Sequence, residues 1–127
     1  MSERRPRIYI AGPMNPRNGG GAIEYLGNCR RMIAAAVELI KKGFAPFCPA
    51  LDLLYFLNGE WAESITGEEI KSYSMTWLPT CEAILMLPGS EHSSGASAEL
   101  SEAIRLGIPV FNSIEPLIRL FEGTDGR

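Results

Sequence analysis

An apolar run, Ala83-Ile84-Leu85-Met86-Leu87, opens directly into Pro88-Gly89-Ser90-Glu91-His92-Ser93-Ser94-Gly95-Ala96-Ser97-Ala98-Glu99. The run reads as a buried strand, and Leu100, Ala103, Ile104 and Leu106 then recur at the spacing of one helix face. A strand, a Gly/Ser/Pro loop and a helix in that order form the unit in which α/β proteins hold ligands, at the carboxyl ends of the strands. The loop offers the hydroxyls of Ser93, Ser94 and Ser97, and Gly95 lets the backbone come close to a ligand. Backbone N–H groups at a helix start suit a phosphate or another anion. Glu99 is expected in the first turn of that helix, where the dipole favours the ionised carboxylate. A carboxylate held ionised beside a pocket is a candidate nucleophile. The same pattern also serves plain structure, because a first-turn Glu stabilises helices and Ser/Gly loops are common turns.

The chain on either side repeats the α/β rhythm. Arg7-Ile8-Tyr9-Ile10-Ala11 predicts a first strand ending in Gly12-Pro13, followed by a loop from Met14 to Gly21 that contains Gly19-Gly20-Gly21. This loop is either a plain connection, a lid or part of a phosphate cradle. It matches neither a Walker loop nor a dinucleotide fingerprint. Ile23, Leu26, Arg30, Ile33, Val37 and Ile40 predict a helix from about Ala22 to Lys42, with Gly43 as its stop. Phe44 to Cys48 reads as a second strand, closed by Pro49. Leu51 to Gly59 reads as a short apolar helix or loop buried in the core, with Asp52 and Tyr55 able to line a pocket. Trp61 to Ile65 is ambiguous. Thr66-Gly67-Glu68-Glu69 matches a capping box that opens a helix ending near Pro79, with Ile70, Tyr73, Trp77 and Leu78 inward. Gly107 stops the central helix, and Ile108 to Phe111 reads as a fourth strand. Ser113 then caps a last helix with Ile114, Leu117, Ile118 and Phe121 inward. The expected fold is a small, doubly wound (Rossmann/flavodoxin-like) α/β sandwich of four or five parallel strands, one domain over residues 1–127.

Composition narrows the function classes. A net charge of −3, with no basic cluster beyond Arg4-Arg5-Pro6-Arg7, argues against nucleic acid as a partner. No apolar run approaches the ~20 residues of a membrane span, and the start carries no signal-peptide pattern. Cys29, Cys48 and Cys81 show neither paired nor metal-ligand spacing, so reduced thiols and a cytoplasmic setting are expected. With one histidine, a zinc site is not expected.

Ile8-Tyr9-Ile10-Ala11-Gly12-Pro13-Met14 resembles the first strand of the nucleoside 2-deoxyribosyltransferase superfamily. Ser93 to Glu99, followed by Ala103 and Gly107-Ile108-Pro109-Val110, resembles its second signature, in which a Gly precedes the catalytic Glu by four residues as Gly95 precedes Glu99. The likeness runs from about Ile8 to Phe111. It is nearest to small bacterial and phage-type members, then to nucleoside 5′-monophosphate N-glycosidases.

The resemblance implies cleavage or transfer of an N-glycosidic bond in a nucleoside or nucleoside 5′-monophosphate. Glu99 would attack C1′, and water or a second base would resolve the glycosyl ester. Such a bond breaks through an oxocarbenium-like state that a nearby carboxylate stabilises. Tyr9 matches a tyrosine beside that carboxylate, and Ser93 a serine that binds the 5′-phosphate. Gly12, Pro13, Met14 and Asn15 fall where the first loop meets the nucleotide, with Ser94, Gly95 and Ser97 on the second loop. The resemblance further implies a homo-oligomer, dimer or tetramer, whose subunits complete one another's pockets. Tyr55-Phe56-Leu57 and Trp61 are a candidate interface or ordinary core. No cofactor or metal is implied, since the reaction needs only a carboxylate and proton transfer.

One departure stands out. Ser74 occupies the place of an acidic residue on the family's helix, and Glu82 replaces the strand-opening Asp, while Trp77 is kept. A serine hydroxyl is far too weak an acid to protonate a leaving base alone near neutral pH. Asp52, Glu63 and Glu91 are candidates to take the role; without one of them the chain reads as a non-catalytic nucleotide-binding or sensor module. The loop Pro88 to Glu99 also distantly resembles that of cytokinin-activating phosphoribohydrolases, with longer spacing and no Thr.

Overall fold

The computed structural model describes residues 4–15, 21–57 and 65–123. Strand β1 (Arg7–Ala11) leads to helix α1 (Ala22–Lys41) and strand β2 (Ala45–Phe47). A 3-10 helix (Pro49–Leu57) precedes α2 (Gly67–Trp77), and a short 3-10 turn (Leu78–Thr80) precedes β3 (Ala83–Met86). The turn Ser90–His92 leads to α3 (Ser94–Leu106), and β4 (Val110–Phe111) and α4 (Ile114–Gly123) complete the described chain. The sheet has four parallel strands in the order β2-β1-β3-β4, as expected for the doubly wound sandwich.

Side chains alternate across a strand, so β1 and β3 each feed two cores. Ile8, Ile10, Ala83 and Leu85 face α1 and α4, meeting Cys29, Met32, Ala36, Leu39 and Leu117. Tyr9, Ala11, Ile84 and Met86 face the other way, against Leu78, Ala96 and Ala103. The crossover from β1 leads outward to β2, and that from β3 leads outward to β4. The loops after β1 and β3 therefore part, and the crevice they leave is where open α/β sheets bind ligands. Two tight contacts shape its rim. A Cβ added to Gly12 would lie 3.1 Å from Leu87 Cβ, and Gly89, at φ +89°, packs against Pro13.

The capping box forms as read, with Glu69 N–H donating to Thr66 Oγ1 at 3.1 Å and Thr66 N–H to Glu69 Oε1 at 2.8 Å. Ile114, Leu117, Ile118 and Phe121 all pack inward.

Several helix faces differ from expectation. On α1 the row Ile23, Leu26, Arg30, Ile33, Val37 and Ile40 is exposed, Ile23 by 87%. The buried stripe is Asn28, Cys29, Met32, Ala36 and Leu39. Small Cys29 and Ala36 let the helix backbone approach the sheet, and the Asn28 amide donates to the Met14 carbonyl at 3.1 Å. On α2 Tyr73 and Trp77 stay partly exposed, because they cluster with Phe47 over edge strand β2 while Leu78 alone is fully buried. Ile104 and Leu106 of α3 and Leu51, Leu54, Tyr55 and Leu57 of the 3-10 helix are likewise exposed. The glycines at 19 and 20 and Trp61 lie outside the described residues. Among the described residues, no helix is long and apolar enough to cross a membrane.

Overpacking a close contact typically costs about 1–3 kcal/mol. Gly12→Val is expected to lose that much against Leu87 in urea denaturation. Gly95→Ala, whose new Cβ would meet nothing nearer than Ser93 Oγ at 3.9 Å, is expected to shift stability by less than about 1 kcal/mol.

Candidate active site

A cleft of about 700 Å³ fills the crevice between the ends of β1 and β3. Gly12, Pro13, Met14 and Asn15 form one wall, and Ser93, Ser94, Gly95 and Glu99 another. The third wall is a stripe of α2, Gly67, Ile70, Lys71 and Ser74, spaced at successive turns so that one helix face looks inward. Pro49, Leu53 and Phe56 supply apolar surface.

Tyr9 is fully buried in the central strand, with its ring stacked on Phe47 at a 5.2 Å centroid distance. Its hydroxyl donates to Glu99 Oε2 at 2.7 Å. Burial, reinforced by the Glu99 charge, drives the Tyr9 hydroxyl far above its ordinary pKa, so it stays protonated and serves as a donor. Glu99 departs from the sequence expectation in two ways. Helix α3 begins at Ser94, which places Glu99 in the second turn rather than the first. Burial then pushes its carboxyl up to about 7, opposed by the Tyr9 hydrogen bond and the nearby Lys71 charge. Near neutral pH the carboxyl is therefore divided between two forms, and its ionised fraction is set by pH.

The predicted loop residues separate. Ser93 is the N-cap of α3, its hydroxyl accepting from Ala96 N–H at 3.1 Å. Helical geometry leaves the next N–H groups, those of Ser94 and Gly95, without partners inside the helix, and both residues line the cleft. That end is suited to an anion. Ser97 does not join them: it lies about half a turn round the helix from Glu99 and lines a second cavity with Ser90, Glu91 and Asn112.

Three contributors were not read from the sequence. Among the described residues, Lys71 is the lysine or arginine that lines the cleft, legible only once the α2 stripe is phased. Asn28 holds the exit of β1 through Met14 and sits on the α1 face that the apolar row obscured. His92 lines the rim beside Glu91, 3.5 Å away.

The place of Ser74 is now defined. Ser74 and Asp52 are both buried, and Ser74 Oγ donates to Asp52 Oδ2 at 2.8 Å. Burial raises the Asp52 pKa, and the serine hydrogen bond opposes that rise. Of the three acids weighed as substitutes, Asp52 is the one beside Ser74. Glu91 is exposed and lines the second cavity, and Glu63 lies outside the described residues. Glu82 sits at the opposite end of the sheet, where Arg4 grips both of its oxygens at 2.7 and 2.6 Å.

Glu99 links the site to folding. Its folded-state pKa lies above the unfolded value, so its contribution to stability is fully present below the unfolded pKa and fades as pH rises toward about 7. Glu99→Gln removes that dependence. Its melting temperature is expected to exceed that of the unmodified chain at about pH 8 and to approach it near pH 4, as scanning calorimetry would show.

The fold has a structural counterpart. A 2-deoxyribosyltransferase from the psychrotolerant bacterium Bacillus psychrosaccharolyticus shares the fold with a TM-score of 0.59 at 18% identity, covering 82% of this chain and 69% of that one. Comparison with curated proteins gives no match. Residues 6–112 match a family described as a domain of unknown function, DUF4406, and the chain belongs to that family.

Proposed function

We propose that this chain cleaves or transfers the N-glycosidic bond of a nucleoside or nucleoside 5′-monophosphate, with Glu99 as nucleophile. The observation that carries the reading is the Tyr9–Glu99 hydrogen bond of 2.7 Å at the wall of a cleft between β1 and β3. In the ionised form, one Glu99 oxygen accepts from Tyr9 while the other is available to C1′. A carboxylate so held can stabilise an oxocarbenium-like state and trap the sugar as an ester. Tyr9 orients the carboxylate and shares its charge before attack. The exposed N–H groups of Ser94 and Gly95 and the ammonium of Lys71 suit a 5′-phosphate, with Ser93 beside them. Gly12, Pro13, Met14 and Asn15 enclose the rest of the ligand, and the apolar surface of Leu53 and Phe56 suits a base. The structural likeness to a deoxyribosyltransferase agrees with this reading at the level of fold.

A second reading keeps the ligand and drops the reaction. Ser74 turns its hydroxyl inward to Asp52 rather than presenting a carboxylate to the cleft, which favours a nucleotide-binding module. We also propose a homo-oligomer built on α1, since an isoleucine, leucine and valine row at heptad-like spacing is exposed there. The three cysteines are free and buried, which agrees with a reducing compartment such as the cytoplasm.

A panel of nucleosides and 5′-monophosphates, with and without a second free base, separates the two readings by chromatography. The glycosidase reading expects released or exchanged base that is lost in Glu99→Gln, with kcat/KM falling as pH drops through about 7, because protonation removes the nucleophile. Ligand-induced thermal stabilisation without any base release selects the binding module. For the assembly, Ile33→Glu with Val37→Glu is expected to reduce the mass found by light scattering to that of a monomer.

A further inference from the structure

Glu99 cannot serve every step of the proposed reaction. As the bond to the base breaks, C1′ takes an electron pair from the carboxylate and the departing nitrogen needs a proton. A carboxylate bonding to C1′ has no proton to give. Tyr9 is committed to Glu99 and holds its own proton tightly. A second acid is required, and the described residues hold a buried carboxylate to which the steps above give no role.

That carboxylate is Asp52. It is 6% exposed on the 3-10 helix, and Ser74 Oγ lies 2.8 Å from its Oδ2. Ser74 in turn stands on the α2 stripe that walls the cleft, one turn beyond Lys71. Ser74 thus lines the cleft and contacts the carboxylate behind it. We infer that Asp52 exchanges a proton with the substrate through the Ser74 hydroxyl, the pair acting first as acid and then as base; this rests on the N-glycosidic reading of Glu99.

The step balances. As C1′–N breaks and C1′–Oε forms, Ser74 gives its hydroxyl proton to the departing nitrogen and takes the Asp52 proton in its place. Neutral base leaves, Asp52 remains a carboxylate and the sugar is esterified to Glu99. Water then attacks C1′, passing one proton to Ser74, whose own proton moves to Asp52, while the Glu99 carboxylate departs. Hydroxyl relays of this kind work because serine donates and accepts at once. The groups that the Asp52 charge reaches are Tyr9 from β1, Cys48 after β2 and Tyr55 on its own helix. Each is neutral at moderate pH, and among the described residues no cation pairs with Asp52. Burial, opposed by the Ser74 hydrogen bond, lets it keep a proton at higher pH than an ordinary aspartate.

The test compares two substrates: a purine nucleoside, whose base must be protonated to leave, and its N7-methylated counterpart, whose base leaves without a proton. Asp52→Asn and Ser74→Ala are each expected to lose about 10²-fold or more in the single-turnover rate of base release on the first and to stay within a few-fold on the second. Placing the acid on the cleft wall, as Ser74→Asp in the Asp52→Asn background, is expected to restore cleavage of the first. An equal fall on both substrates assigns the pair a structural role and overturns the inference. No fall on either overturns it as well. The glycosidic reading itself fails by a different sign, a Glu99→Gln variant that cleaves both substrates at the unmodified rate. An unmodified chain silent on both overturns the two together.

Discussion

A phenol buried in the middle of a sheet has to place its hydroxyl somewhere. Tyr9 lies in the central strand pair with its ring between layers, and the partner its hydroxyl finds is Glu99, ninety positions along the chain. Leaving either group unpaired would cost on the order of 1–3 kcal/mol, more for the charged form. This bond therefore fixes how α3 sits over β1, and with it which face of α3 looks into the crevice. Ser94, Gly95 and Glu99 then follow on one side and Ser97 on the other.

The electrostatics of the cleft follow from the same burial. Two carboxyls, Glu99 and Asp52, are both held above the ordinary range, and desolvation is the leading cause for each. Their surroundings differ. Glu99 is stabilised as an anion by a phenol and a lysine, whereas Asp52 has a serine hydroxyl and otherwise neutral neighbours. Carboxyls placed in unlike environments are the usual way one site holds a nucleophile and a proton donor at the same pH. The N–H groups at the start of α3, without partners inside the helix, add a fixed partial positive charge on the wall that also carries Glu99.

The fold was legible because its signals are local and redundant. Apolar strands closed by Gly or Pro, a capping box at Thr66 and helix stops at Gly43 and Gly107 need no knowledge of what packs where. The cleft walls on β1 and the α3 start were legible for the same reason, since both are strand exits. What failed was phase. On α1 two rows share helical spacing, and the larger apolar one, Ile23 to Ile40, lost to a row of small residues that allows close approach to the sheet. The same ambiguity hid Asn28 and Lys71. The dipole argument for Glu99 failed because the helix starts at Ser94, and one turn of displacement exchanged a charge-stabilising position for a desolvated one. The Asp52–Ser74 pair could be only half seen. Twenty-two residues separate its members, and nothing local says that a short 3-10 helix will turn its single acid inward.

The most direct test of the account is to look for the covalent bond it requires. The protein would be mixed with a reactive nucleoside or 5′-monophosphate, quenched in acid within the first turnovers, digested and examined by mass spectrometry. The account predicts a mass gain equal to the glycosyl group on the peptide bearing Glu99, absent in Glu99→Gln. Base release with no adduct on that peptide at any quench time, or an adduct on another residue, would contradict it.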